Sequence, residues 1–249
     1  MTPVLVAHRG YSAQTPENTL TSMHAALDAG ACCIEFDVQL CADGKFAVIH
    51  DDTLKRTAGI HGSVFDASVA ELQAVSVHEA DRFGDQFLPA PVPALQQLLD
   101  EIEAHPAITA FVEIKEESLV RWGVEKVMLP LIAELEKYRS QCVVISFSES
   151  AVDYVQQHSE LRTGWVLTKY DATHRASAEQ LQPDFLICNQ RKINTAEPWP
   201  GRWQWMLYGV ETAQLALDWG RRGVAFVGTD HIVELLQDED LLKGACQHE

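Results

Sequence analysis

Residues 33–50 read CIEFDVQLCADGKFAVIH. Two runs rich in β-branched and aromatic residues flank Asp43-Gly44, a dipeptide suited to the positive backbone angles of a tight hairpin. Cys33–Leu40 and Phe46–His50 therefore read as strands, joined by Cys41–Lys45. So short a join excludes a parallel crossover, which takes a dozen or more residues. A turn centred on Asp43-Gly44 sets Asp37 opposite His50. Glu35 and Asp37 share a face, because strand side chains alternate.

Outward from the hairpin, short strands alternate with amphipathic stretches. Further strands are expected at Val4–His8, Phe111–Lys115, Cys142–Phe147, Gly164–Thr168, Asp184–Asn189, Gln204–Val210 and Ala225–Thr229. Helices are expected at Thr19–Ala29, Ala94–Ala104, Leu119–Tyr138, Glu149–His158, Thr212–Arg222 and Ile232–Leu236. The first opens on the capping environment Pro16-Glu17-Asn18-Thr19 and stops at Gly30. Repeated βα units over 249 residues point to an α/β fold, a TIM-type (β/α)8 barrel. The competing fold is a doubly wound open sheet, but neither GxGxxG nor GxxxxGK[ST] occurs. The hairpin accounts for a ninth strand as an irregularity near strands 2–3. The chain reads as one domain, residues 1–249. Within it, residues 51–93 carry Gly59, Gly62, Gly84, Pro89, Pro91 and Pro93 with weak periodicity. That stretch is expected to form a small inserted lobe over the barrel mouth, where long loops usually serve function.

Thirty-six acidic against nineteen basic residues give a formal charge of −17. This balance argues against nucleic acid, which is held by Lys and Arg, and against stable association with an anionic membrane. The 47% hydrophobic fraction excludes global disorder. No run reaches the roughly 18 apolar residues that cross a bilayer. The start MTPVLVAHRG lacks a signal-peptide pattern, so a cytoplasmic location is expected. Cys32, Cys33, Cys41, Cys142, Cys188 and Cys246 match no zinc spacing and read as reduced, buried thiols.

Four charged clusters fall at candidate strand ends: His8-Arg9-Gly10, Glu35-x-Asp37, His50-Asp51 and Glu113-x-Lys115. Glu35, Asp37 and Glu113 form an oxygen-only ligand set suited to Mg²⁺ or Ca²⁺. Three carboxylates pack together cheaply only around a cation. His8 and His50 titrate near neutrality and can exchange protons on opposite sides of a reaction centre. Arg9 and Lys115 place positive charge where a phosphate would sit. A local cationic site can thus hold an anion despite the global charge.

The strings AHRGYSAQTPENTL (7–20) and GACCIEFDVQLCADGKFAVIHDDTLKRT (30–57) resemble the glycerophosphodiester phosphodiesterase family, with its HRG, PENT, acidic E-x-D strand, DG turn and HD. PALQQLL, FVEIK, ISF and a terminal GTD extend the resemblance along the chain. It implies a TIM-type barrel that hydrolyses glycerophosphodiesters to sn-glycerol 3-phosphate and an alcohol. It also implies metal on Glu35, Asp37 and Glu113, acid–base work by His8 and His50, phosphate on Arg9 and Lys115, and a small lobe after the HD. Gly209-Val210-Glu211 departs from the family's Thr-Val-Asn, a change that bears on substrate preference, and His231-Ile232 follows Thr-Asp where proline is common one residue later.

Two other readings stand beside this one. A lipid-directed phospholipase could use the same barrel, and a binding protein could hold glycerophosphodiesters without turnover. The paired histidines count against the second. Trp199, Trp203 and Trp205 read as packing at a strand entry rather than a lipid platform. The acidic Gln237–Asp240 run reads as solvated surface.

Overall fold

The computed structural model describes residues 1–193 and 197–244. Among the described residues nine strands form one sheet: β1 (Val4–His8), β2 (Cys33–Leu40), β3 (Phe46–Val48), β4 (Thr109–Ile114), β5 (Cys142–Ser146), β6 (Arg162–Val166), β7 (Phe185–Asn189), β8 (Gln204–Tyr208) and β9 (Phe226–Thr229). Their order is β1-β9-β8-β7-β6-β5-β4-β2-β3, and a β1–β2 pairing closes the ring. Eight strands are parallel and make the barrel. Strand β3 lies outside it, antiparallel to β2. Each expected strand is present.

The hairpin register differs by one residue from the expected one. Val38 faces Val48 and Gln39 faces Ala47, and Ile49 N–H donates to the Asp37 carbonyl at 3.0 Å. Asp37 therefore lies opposite Ile49, not His50. The turn is the cause. Cys41 N–H bonds to Lys45 O, and Gly44 has φ +77°. Three residues, Ala42-Asp43-Gly44, fill the loop, with glycine in the left-handed position of a bulged turn. His50 still reaches the mouth, because the ladder ends with the Ile49–Asp37 bond and the chain bends at His50. Gln39 Nε2 holds the His50 carbonyl at 3.0 Å.

Two helix readings also change. The continuous helix expected at Leu119–Tyr138 is Glu116–Trp122 and Val124–Leu135, followed by a 3-10 turn at Glu136–Tyr138. Gly123 at φ +89° separates the first two. The helix Ala172–Leu181 was not expected; Ala178 is its one fully buried residue, so its apolar stripe is faint.

Inward-facing residues alternate along the strands. Val6, Cys33, Phe111, Val143, Phe185 and Phe226 fill the lower barrel. Phe111, Phe185 and Phe226 meet edge to face at 5.1–5.9 Å. The segment 51–93 has short helices at Lys55–Ala58, Val69–Leu72 and Ala80–Phe83. Leu54, Val64, Val69, Leu72, Val77 and Val92 cluster there against Ala47 and Ile49 of the hairpin. Trp203 and Trp205 are buried in the helix–barrel core. Cys32, Cys33, Cys41, Cys142 and Cys188 stand as buried thiols; Cys246 lies outside the described residues. Gln237, Glu239 and Asp240 are exposed. Among the described residues no helix is long and apolar enough to cross a membrane.

Candidate active site

All seven candidate residues converge at the C-terminal rim of the barrel, where barrel enzymes place their chemistry. Strand β1 ends in His8, β2 contributes Glu35 and Asp37, and β4 contributes Glu113 with Lys115 just beyond it. A cavity of about 150 Å³ is lined by His8, Arg9, Glu35, His50, Glu113 and Lys115 on one side. Its other wall is Ile145, Phe147, Val166, Ile187, Met206 and Tyr208.

The loop after β1 is sharply bent. Arg9 has φ +57° and Gly10 φ +79°. A Cβ on Gly10 would lie 2.5 Å from the Ser22 carbonyl carbon, so only glycine lets this loop pass the first helix, Leu20–Asp28. Thr19 caps that helix reciprocally with Ser22. The bend aims the Arg9 N–H at Glu35 Oε2, 3.0 Å away. Non-glycine backbone in this region is strained and recurs at functional sites.

Ligand oxygens of Glu35, Asp37 and Glu113 lie within 4.8 Å of one another. Their residues are 3%, 1% and 8% exposed, so water cannot screen the charges. Burial and neighbouring Asp37 push the Glu35 carboxyl up to about 8. Burial also drives Glu113 upward, with Asp37 adding to it. Burial opposes ionisation of Asp37 too, but Arg9 and Lys115 overcome it and hold that group far below its ordinary value. Asn18 adds a 2.8 Å hydrogen bond to Asp37 Oδ2. Glu35 Oε1 is buried without a hydrogen-bond partner among the described residues, and Asp37 Oδ1 has only the Lys115 ammonium, 3.3 Å away. An orphaned oxygen in a crowded carboxylate trio fits a hard divalent cation.

Two cations border the trio. Arg9 Nε lies 3.1 Å from Asp37 Oδ2, and Arg9 Nη1 2.9 Å from Glu17 Oε1. Lys115 Nζ lies 2.6 Å from Glu113 Oε1 and 3.3 Å from Asp37 Oδ1. Both histidines are held through Nδ1: His8 by Asp230 at 2.7 Å and His50 by Asp51 at 2.6 Å. The His8 Nε2 edge faces Glu35 Oε2 at 3.9 Å, and its ring stacks on Tyr208. A carboxylate at Nδ1 favours the tautomer whose Nε2 can exchange a proton.

Five residues of this arrangement have no site role assigned from sequence: Glu17, Asn18, Asp51, Asp230 and Arg56, which pairs with both Glu17 and Asp51. All sit inside the quoted PENT, HDDTLKRT and GTD strings, which was their available signal. Glu211 points the other way. It is exposed, 3.9 Å from Arg191, and it does not line the cavity.

The model of the glycerophosphoryl diester phosphodiesterase family matches residues 8–233. A glycerophosphodiester phosphodiesterase of Bacillus subtilis strain 168 is 32% identical over 212 residues, covering 76% of this chain and 70% of that protein. One from Caldanaerobacter subterraneus is 31% identical over 157 residues, 63% of each chain. One from Bacillus altitudinis is 35% identical over 123 residues, so the chain spans only about half that relative's length. A phosphodiesterase of Oleispira antarctica, solved in complex with the product sn-glycerol-3-phosphate, superposes with TM-score 0.80 at 24% identity, over 94% of this chain and 96% of that one. That likeness shows the barrel fold.

Proposed function

The chain belongs to the glycerophosphoryl diester phosphodiesterase family, and from that premise we propose that it hydrolyses glycerophosphodiesters to sn-glycerol 3-phosphate and an alcohol. One observation carries the reading. A buried carboxylate trio with an orphaned Glu35 oxygen shares one cavity mouth with two histidines, each braced by its own carboxylate. Phosphate binding alone would not require two proton carriers.

Glu35, Asp37 and Glu113 would hold Mg²⁺ or Ca²⁺, which when bound supplies Lewis-acid charge at a phosphoryl oxygen and the adjoining glycerol hydroxyl. Arg9 and Lys115 add fixed positive charge on the same side, so the diester is drawn in against the net −17. His8 and His50 divide the proton traffic. One accepts the proton of the nucleophile and the other donates to the departing alkoxide; water attacks the diester directly, or attacks second to open the cyclic phosphate left when the glycerol hydroxyl attacks first. The apolar far wall offers water few hydrogen-bond partners, and a low-polarity boundary strengthens the charge interactions beside it. The segment 51–93 acts as a lobe inserted in the single domain 1–249, and the site works on a soluble small diester in the cytoplasm, without nucleic acid or a stable membrane contact.

The test is coupled detection of glycerol 3-phosphate released from glycerophosphocholine and glycerophosphoethanolamine, with Mg²⁺, Ca²⁺ or chelator. Lysophospholipid vesicles run in parallel separate a lipid-directed enzyme. Release from soluble diesters that stops on chelation is the expected result. Binding without release would replace this reading with that of a carrier.

A further inference from the structure

Arg56 lies on the short helix Lys55–Ala58 of the 51–93 segment, outside the barrel strands. Its guanidinium nonetheless joins two carboxylates on different elements. Nη1 donates to Glu17 Oε2 at 2.7 Å and Nη2 to Glu17 Oε1 at 2.8 Å. On the other side Nε reaches Asp51 Oδ2 at 2.8 Å and Nη2 reaches Asp51 Oδ1 at 2.9 Å. Each carboxylate has a second duty. Glu17 Oε1 also accepts from Arg9, and Asp51 Oδ1 also holds His50 Nδ1.

We infer that Arg56 is a positioning residue for both the general acid–base His50 and the phosphate-binding Arg9, tying the inserted segment to the chemistry of the barrel rim. The inference rests on the phosphodiesterase reading for its kinetic consequences, but not for its geometry. The planar fork of arginine is what permits it, since two paired hydrogen bonds can form on two edges at once. A lysine offers one point charge and can satisfy one carboxylate well. Without the fork, Asp51 keeps only its bond to the imidazole it must orient. Glu17 likewise loses the partner that fixes the oxygen used by Arg9. Small displacements of reacting groups are costly, on the order of 10²-fold for about 1 Å.

The experiment uses the full chain as wild type, Arg56→Gln and Arg56→Lys, labelled with ¹⁵N-histidine. His50 ring resonances are assigned with a His50→Gln variant, and the same proteins are assayed for glycerol 3-phosphate release from glycerophosphocholine. In Arg56→Gln the His50 ring resonances should shift and broaden, kcat should fall roughly 10- to 100-fold, and KM should rise as well. Arg56→Lys should recover only part of each change. Should Arg56→Gln fail to fold, Arg56→Lys carries the same resonance test. Unchanged His50 resonances in a folded variant overturn the inference, whatever the enzyme hydrolyses. A fall in active fraction with kcat per active site and KM unaltered also overturns it, because that marks a merely structural contact. A wild type that releases no glycerol 3-phosphate would instead overturn the functional reading, and the His50 resonances would still decide the role of Arg56.

Discussion

The two sides of the barrel mouth are built on the same backbone and used differently. At equivalent inward positions, β2 and β4 carry Glu35, Asp37 and Glu113, whereas β5 to β8 carry Ile145, Val166, Ile187 and Met206. The first side is held by ion pairs across elements and keeps Glu35 Oε1 without a hydrogen-bond partner. The second packs apolar side chains that are almost wholly out of water. Burial of an Ile or Met stabilises a fold by roughly 1.5–3 kcal/mol, while burial of clustered carboxylates opposes it. One wall therefore contributes stability and the other withdraws some of it for chemistry. Mutations on the two walls should separate turnover from stability.

The largest effect belongs to the carboxylate trio. Chelation should abolish turnover, and Mg²⁺ or Ca²⁺ should restore it. Glu35→Gln should lose that response, yet its metal-free form should melt no lower than the metal-free wild type, because a carboxyl pushed up to about 8 is already largely protonated at neutral pH and glutamine replaces it with another neutral group. Calorimetry with and without metal checks this: the cation should raise the melting temperature of the wild type and leave that of the variant unmoved. Full activity in exhaustively chelated enzyme would remove the metal from the scheme.

Next come the histidines. His8→Ala and His50→Ala should each reduce turnover by about 10²- to 10⁴-fold. The double variant should lose far less than the product of the two, since groups acting as a unit are not additive. Burial pulls the His8 pKa down, but Glu35 and the Asp230 hydrogen bond more than reverse this and hold it above its ordinary value. Asp230→Asn takes away one raising influence, so any limb of the pH–rate profile set by His8 should move to lower pH. A profile that stays in place would detach Asp230 from His8 chemistry.

The apolar wall should answer in the opposite sense. Ile187→Ala should cost about 2–5 kcal/mol of stability, read as a lower urea midpoint, with kcat kept within roughly threefold once folded protein is compared. A large kcat loss with unchanged stability would show that this wall takes a direct part in the reaction.

These contrasts were unequally visible in the sequence. The polar wall was legible, because Glu35-x-Asp37 and Glu113-x-Lys115 place charges at alternate positions in runs that otherwise read as buried strand. The nine strands were legible for the same reason. The hairpin register was not, since one residue of turn length decides it and Asp-Gly fits more than one loop. Gly123 sits inside an amphipathic stretch whose periodicity continues across it, so the break between two helices left little trace. The braces of the site are the hardest case. His8 meets Asp230 across 222 positions of sequence, and Arg56 meets Glu17 across 39. Contacts of that kind follow from barrel closure and from the path of the inserted segment, neither of which leaves a local period.

The smallest expected effect lies where the segment 51–93 meets the loop after β1. Arg82 Nη1 pairs with Glu79 Oε2 at 2.7 Å, and Arg82 Nη2 donates to the carbonyls of Ser12 and Ala13. Glu79 Oε1 in turn accepts from the Glu17 N–H at 2.7 Å. Together these contacts border an outer cleft of about 310 Å³ lined by Ser12, Ala13, Glu17, Arg82, Asp230 and His231, which meets the inner cavity at His8 and Arg9. An alcohol leaving from the His8 side would extend into that cleft, so its rim should choose among alcohols while the barrel cleaves the bond. Removing the whole span 56–84 would delete Arg56 and Glu79 and blur the two roles, so Arg82→Ala is the cleaner cut. Loss of rim hydrogen bonds worth roughly 0.5–1.5 kcal/mol each should alter the ratio of kcat/KM for glycerophosphoinositol over glycerophosphoethanolamine by about two- to tenfold. The kcat for the compact diester should change little. An unchanged ratio in folded Arg82→Ala would make this side of the segment a structural cover, and selectivity would then have to come from the apolar wall and Tyr208.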